Sequence, residues 1–540
     1  MSRASKRSWP GRALLGSAVL GLGSGLGGGA RAQGDPNPLP HFVERDGRHA
    51  LIVDGAPFLI LGGQCRNSSA WPVALPAVWS AIDRMGANTL EAPVYWEQFE
   101  PEPGRFDPAL VDALIQQARA HGVRLVLLWF GTWKNGSSHY VPLWMKRESG
   151  RYPKLVGRDG RLVDSPSPAA PATLAADIRA FRALLRHLRA FDPEHTVILV
   201  QVENESGAWN SVRDYSPAAE AIFRQPVPAE LLRPLGRAAA AGGDWPTVFG
   251  PDADEFFHAW SVARFVGAVA AAGKAEYPLP MYANAALRDP LTPGLAGTYE
   301  SGGPTDNVPA IWKAAAPALD VLAPDIYQKD GARYRKVLEL YARPDNPLLI
   351  PETRADAGFA RYFFCALDRG AVGWAPFGVD QDQGGGDDWL AAVGANYGLI
   401  RPILREVARL NFEGRLRAVA EEPGAPSETL DFGAWKAVVA YGIPRLGPTK
   451  PPQGNPEPIG RALVARLGRD EFLVTGYFCR VDFVPADAAS GLRREFLRVE
   501  AGGYRDGAFR ADRIWNGDQT DWGLSFNGTP LCLRAQLGTY

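Results

Sequence analysis

The stretch VILVQVENESGAW opens at Val197 as an unbroken apolar run and closes on two carboxyl groups flanking an amide, Glu203-Asn204-Glu205. Unpaired charge is costly to bury, so such a run must end either in partners or at a solvent cleft. A second run, LLIPETR at 348–354, delivers another acid, Glu352, in the same manner. Two acids carried to one cleft by two buried runs can divide proton work between them. One donates to a leaving oxygen, and the other attacks carbon or activates water, which is the requirement of glycosidic bond cleavage. Glu203 fits a structural acid paired with an arginine or a backbone amide. Asp380, in GVDQDQGGGDDW, fits a solvated or turn acid, and the spacing of that acidic loop matches no calcium loop.

The positioning elements are legible around these acids. Short apolar runs recur at 58–64, 87–94, 123–130, 196–204, 279–285, 319–327, 347–353 and 371–377. Between them lie segments of helical spacing such as LVDALIQQARAHG and EFFHAWSVARFVGAVAAAGK. Runs without alternation suit strands buried on both faces, and strand–helix alternation implies parallel pairing. Eight units predict a (β/α)8 TIM barrel of α/β class. The open doubly wound alternative lacks a GxGxxG or GxxxxGK[ST] fingerprint. Barrel active sites lie at the C-terminal strand ends, which puts Glu205 at the end of strand four and Glu352 at the end of strand seven. Asp325 and Tyr327 then close strand six, and Trp374 lies near the end of strand eight. Beyond residue 412 helical spacing gives way to alternating strands, predicting an antiparallel β-sandwich-like domain. The Pro-rich piece at 442–458 reads as an excursion within it.

The expected organisation is therefore residues 1–32 as a signal peptide, 33–411 as the barrel with a short lead-in, and 412–540 as a β-rich accessory domain. Arg3, Lys6, Arg7 and Arg12 precede a weakly apolar, glycine-rich segment and a small-residue ARA site, which reads as export to the periplasm or beyond. No later run reads as a membrane span. With 58 basic against 59 acidic residues the net charge is −1, which provides no field to attract nucleic acid or an anionic membrane. Seven histidines without HExxH and four cysteines without ligand spacing argue against a metal site, and no cofactor is expected. Cys479 and Cys532 could pair in an oxidising compartment or stay as buried thiols. Oligomeric state is not legible. Sixteen tryptophans supply both core and sugar-stacking faces, and core filling is the first reading for most of them.

QVENE at 201–205, APVYWEQFEPEPGRFD at 92–107 and LLIPETR at 348–354 together resemble glycoside hydrolase family 35, the β-galactosidases. DEFLVTGYFCRVDF and RIWNGDQTDWGLSFN resemble the accessory domain of a bacterial branch. The resemblance implies a retaining β-glycosidase with Glu205 as general acid/base, Glu352 as nucleophile and Asn204 bound to the sugar 2-hydroxyl. In that setting Tyr327 is a phenol able to hold the nucleophile, and Trp374 is a platform for the sugar face. Trp129, Trp133 and Trp209 are candidate cleft walls. Arg354, two residues after Glu352, would favour its ionised form, and burial beside Trp209 would raise Glu205.

Two departures bear on the sugar. Pro93, Glu97 and Phe99 stand where family members carry other loop residues, and Lys134 stands where an acid often follows the strand-three tryptophan. A lysine donates to hydroxyls but accepts from none. The expected substrate is a β-galactoside-type oligosaccharide cleaved from its end, with a sugar such as β-arabinopyranoside as the enzymatic alternative. A carbohydrate-binding barrel without turnover is the alternative of a different class.

Overall fold

In the computed structural model the described residues are 37–381, 389–442 and 451–540. The expected signal peptide, most of the acidic loop after Asp380 and part of the Pro-rich excursion lie outside them. The chain enters through a three-stranded antiparallel sheet, His41–Arg45, Arg48–Val53 and Ala56–Phe58. Eight parallel strands then close a barrel: β1 (Ile60–Gln64), β2 (Thr89–Tyr95), β3 (Arg124–Lys134), β4 (Val197–Asn204), β5 (Met281–Ala286), β6 (Val321–Ile326), β7 (Leu349–Thr353) and β8 (Gly373–Pro376). Each of the eight apolar runs supplies one strand. The barrel shuts where Gly373 and Trp374 of β8 pair with Ile60 and Leu61 of β1. A side chain at Gly62 would overlap Ala375, and one at Gly373 would overlap Ile60 and Leu349, so glycine here sets how closely the closing strands approach.

Two long helices cover the wall beside the site. α1 (Pro171–Phe191) connects β3 to β4, and α2 (Ala253–Glu276) leads into β5; the two pack on each other. The segment Trp245–Glu276, with a mean hydropathy of 1.2, is long and apolar enough to cross a membrane by length and composition, contrary to the sequence expectation. Its apolarity has another physical reason here. It fills space between the barrel wall and neighbouring helices, and 72% of its most apolar stretch is buried.

The last barrel-side helix ends at Phe412, and a two-sheet sandwich begins at β9 (Leu416–Ala420). It continues through β10 (Ser427–Asp431), β11 (Trp435–Tyr441), β12 (Arg461–Arg466), β13 (Glu471–Tyr477), β14 (Cys479–Pro485), β15 (Arg494–Arg505), β16 (Ala508–Ile514), β17 (Leu524–Phe526) and β18 (Cys532–Thr539). One sheet has the order β9-β12-β13-β18-β15-β16 and the other β10-β11-β14-β17. All pairings are antiparallel, and the inward positions form their own apolar core. The alternation read from sequence has this origin: one face of each sheet meets the other sheet. All four cysteines are buried free thiols, so Cys479 and Cys532 are not bridged.

The six-stranded sheet also packs on the barrel, with Leu416, Ala418, Leu463 and Leu473 joining the barrel-side core. Arg361 pins this junction. Its guanidinium donates to the carbonyls of Glu421 (2.6 Å) and Pro458 (3.2 Å) and lies 3.4 Å from the Glu422 carboxylate. Replacing Arg361 by alanine strands those two carbonyls, while Glu422 keeps Arg335 at 3.2 Å. Denaturant melts should show a loss of about 2 kcal/mol, the cost of two buried carbonyls left without their donor, and an unchanged midpoint would show the junction to be held by its other contacts, Arg335 and Arg417 among them.

Candidate active site

The end of β4 is bent by its own backbone. Glu203 and Glu205 take left-handed φ values of +63° and +43°, which residues with a Cβ rarely adopt. Glu203 is held on the outside of the barrel wall. Its Oε2 accepts from the Trp133 amide at 2.7 Å, and its carboxyl faces Asp177 of α1. Asp177 in turn accepts from the Thr132 hydroxyl (2.5 Å) and the Trp129 indole (2.9 Å). Burial first, and then the Asp177 charge, push Glu203 well above the usual carboxylate range, and burial raises Asp177 too, so both being ionised together is disfavoured. The expected structural role of Glu203 is met through a backbone amide and a second acid, with no arginine involved.

On the facing side, β3 ends in the turn Lys134-Asn135-Gly136-Ser137. Asn135 (φ +52°) and Gly136 (φ +69°) take the two left-handed positions of a type I′ turn. Lys134 and Ser137 exchange backbone hydrogen bonds of 2.8 and 3.1 Å. The turn is fastened to β4: Asn135 donates to the Asn204 carbonyl (3.2 Å) and Gly136 to the Glu205 carbonyl (2.9 Å). The Glu205 amide donates to Asn284 Oδ1 of β5 at 2.9 Å, and Asn284 Nδ2 donates to Asp325 Oδ2 of β6 at 2.6 Å. A chain of hydrogen bonds across four strands therefore sets where Glu205 stands.

Glu205, Asp325 and Glu352 each bring a carboxyl oxygen within 4.8 Å of the others. Glu352 Oε1 accepts from the Tyr327 hydroxyl at 2.6 Å and Oε2 from the Gln64 amide at 3.2 Å, so neutral donors fix both of its oxygens. Glu205 is pushed up to about 7, by burial first and then by the Glu352 charge, while Lys134 and Asp325 draw it back. Burial, with Glu352 and Glu205 beside it, holds Asp325 well above its ordinary range. Asn204 is buried with both side-chain amide atoms lacking a hydrogen-bond partner. A native site seldom leaves such an amide empty unless something else is meant to fill it. Among the described residues, Glu205, Asp325 and Glu352 form the one group of acids close enough to hold a cation. Two of the three already receive hydrogen bonds from Asn284, Tyr327 and Gln64.

Of the residues expected at the site, Glu205, Glu352, Asn204, Asp325, Tyr327 and Lys134 gather at the barrel mouth. Trp209 borders the Gly136 turn and is 43% exposed, a free aromatic face at the rim. Others go elsewhere. Trp374 points away from the cleft: its indole donates to Tyr334 at 3.1 Å and its ring meets Phe363 edge-on, in the layer between barrel and helices. It is no sugar platform, because strand alternation turns it outward. Trp133 is likewise buried edge-on against Phe265 of α2, and Trp129 packs on α1 through Phe181. Glu97 pairs with Lys146 at 3.0 Å on the rim, outside the acid cluster. Arg354 pairs with Asp356 at 2.7 Å rather than serving Glu352; that service falls to Tyr327 and Gln64. Replacing Trp374 by phenylalanine should leave KM for any glycoside within about twofold while lowering the melting midpoint, since only core packing and one hydrogen bond are lost. A large KM change with an unchanged midpoint would return Trp374 to the cleft.

Three polar residues of this region were not anticipated. Gln64 closes the first apolar run and was legible as a strand-end polar group. Glu91 is an acid inside the second run, fully buried beside Tyr282 and Glu352 and pushed well above its usual range by burial. Glu300 lies in the loop after β5, where no motif announces it.

Residues 393–527 match a family described as a domain of unknown function, DUF5597, which runs from the last barrel-side helices into the sandwich. A β-galactosidase of Xanthomonas manihotis is 28% identical over 224 residues, covering 39% of this chain and 33% of that protein. The chain thus spans about a third of the length of the curated relative it matches. Among solved structures, the β-galactosidase of Bacillus circulans sp. alkalophilus superposes with a TM-score of 0.48 at 13% identity, over 65% of this chain and 57% of that one. The β-galactosidase of the psychrophilic Marinomonas ef1 gives 0.48 at 13%, over 65% and 61%. A parallel eight-stranded barrel with paired acids at the ends of β4 and β7, followed by an antiparallel sandwich, is the arrangement this chain builds.

Proposed function

We propose that the chain is a retaining, exo-acting β-glycosidase that removes terminal β-galactosyl residues from oligosaccharides after export to the periplasm or beyond. The observation that carries this reading is the pairing of Glu205 and Glu352, with carboxyl oxygens within 4.8 Å at the ends of β4 and β7. Retaining glycosidases hold their two carboxyl groups about 5–5.5 Å apart, too close for an intervening water, so one of the pair attacks carbon directly. The environments divide the roles. Glu205, raised to about 7, keeps a proton to give to the leaving oxygen. Glu352, fixed by Tyr327 and Gln64, is oriented for attack on the anomeric carbon.

In the first step Glu352 forms the glycosyl–enzyme ester as Glu205 protonates the departing oxygen. In the second, Glu205 takes a proton from water, which displaces Glu352. Asn204, with an unfilled amide, is set to bind a hydroxyl of the sugar in the same cleft. Galactose as the glycone is supported by the resemblance of QVENE and LLIPETR to the β-galactosidases and by the name of the Xanthomonas manihotis relative. Lys134 in place of an acid favours a second reading, the same chemistry on a related sugar such as a β-arabinopyranoside.

The test is a panel of nitrophenyl glycosides with proton NMR of the first product. Release of the β-anomer from the β-galactoside is expected. Initial release of the α-anomer would remove the retaining mechanism, and turnover of another glycoside alone would change the sugar.

A further inference from the structure

We infer that Glu300, together with Lys134, binds a hydroxyl of the glycone, the loop after β5 supplying the acceptor that the turn after β3 lacks. The inference rests on the glycosidase reading of the same cleft and extends it to a residue outside the paired acids.

The loop after β5 is stitched to the loop after β4. Ala208 and Ser301 exchange backbone hydrogen bonds of 2.8 and 3.0 Å, which carries Glu300 in beside Glu205. Two glycines clear its path. A Cβ on Gly207 would lie 3.0 Å from Glu300 Cγ, and one on Gly136 would run into Glu300 Oε1 and the Trp209 ring. The carboxyl therefore lies against the turn that presents Lys134 and that Trp209 borders. It is only 2% exposed, and neither oxygen has a hydrogen-bond partner. Lys134, also buried, hydrogen-bonds the side chain of its neighbour Asn135.

A loop anchor would be expected to spend its oxygens on backbone amides, as Asp214 does with Val156 and Ser216. Glu300 spends none on them. An unpaired buried carboxyl costs free energy that only a further partner can recover. A sugar hydroxyl suits the gap, because it donates one hydrogen bond and accepts others, and so can serve an acid and an ammonium together. Burial and the neighbouring Glu205 hold Glu300 well above the usual carboxylate range, and Lys134 draws it back, which is consistent with all three lining one small space. Asn204, also unfilled, ends β4 with its backbone paired to Lys134. The strand-three departure then has a compensation: Lys134 gives the hydrogen bond, and Glu300 receives it.

The experiment compares wild type, Glu300→Ala and Glu300→Gln on 4-nitrophenyl β-galactoside and its 3-, 4- and 6-deoxy analogues. Glu300→Ala should lose roughly 10–100-fold in kcat/KM on the parent sugar, the worth of a hydrogen bond to a buried charged or acidic group. That loss should vanish on the one analogue lacking the bound hydroxyl and persist on the other two. Glu300→Gln, isosteric and able both to donate and to accept, should recover part of the loss and preserves the fold if alanine does not. Equal losses on all four substrates, or none, would overturn the assignment. Absence of any glycoside turnover by the wild type would remove the glycosidase reading itself and this inference with it, an outcome distinct from a wild type that turns over while Glu300 shows no selectivity.

Discussion

Glu352→Ala is expected to reduce turnover of an activated β-galactoside roughly 10⁵-fold, because it deletes the atom that forms the covalent intermediate. The two donors around Glu352 make this a chemical rather than a structural loss. Tyr327 and Gln64 hold the carboxyl from opposite oxygens, at 2.6 and 3.2 Å, and each is set on its own strand or strand end. Removing the carboxyl leaves them facing a small cavity at the mouth, where water can enter and satisfy both. The melting midpoint should therefore change little while kcat collapses. If the midpoint fell in proportion to activity, Glu352 would be a keystone of β7 and its catalytic role would be in question.

Glu205→Ala carries the second large effect, and its signature is the dependence on leaving group and pH. A general acid contributes roughly 10²–10⁴-fold, most where the leaving oxygen is poor. The variant should lose that much on a disaccharide and far less, in the first step, on a nitrophenyl glycoside. The sign with pH follows from the environment. Burial and the Glu352 charge raise Glu205 to about 7, and the first step needs its proton. Wild-type activity on a disaccharide should thus hold below pH 7 and fall as the pH rises through it, since ionised Glu205 cannot donate. The alkaline limb should disappear in the variant. A wild-type profile flat from pH 5 to 9 would exclude Glu205 as the acid.

Most of the barrel was readable because its signal is local. A strand buried on both faces needs an apolar run, and helical spacing between runs leaves a parallel barrel as the consistent arrangement. The acids were readable for the same reason, as polar residues closing such runs. The failures are tertiary. Whether Trp374 faces the bore or the helices depends on strand parity and closure with β1, which a single run does not reveal. Trp133 lies inside the stretch between Trp129 and Lys134 where the register shifts, so counting along β3 misplaces it. Arg354 follows Glu352 closely in sequence yet turns to Asp356, while Gln64, nearly three hundred residues earlier, reaches Glu352 across the closed barrel. Glu300 lies in an irregular loop, and only its pairing with the loop after β4 brings it to the site.

The central claim, that Glu205 and Glu352 play different parts in a double displacement, is tested most directly by the stereochemistry of azide rescue. Glu205→Ala and Glu352→Ala are each given an activated β-galactoside and sodium azide, and the products are read by proton NMR. The account predicts the β-galactosyl azide from Glu205→Ala, azide attacking the covalent intermediate on Glu352 from the face that water normally uses. It predicts the α-galactosyl azide from Glu352→Ala, azide entering through the space the carboxylate has left. The opposite pairing of product and variant, or the same anomer from both, would contradict it.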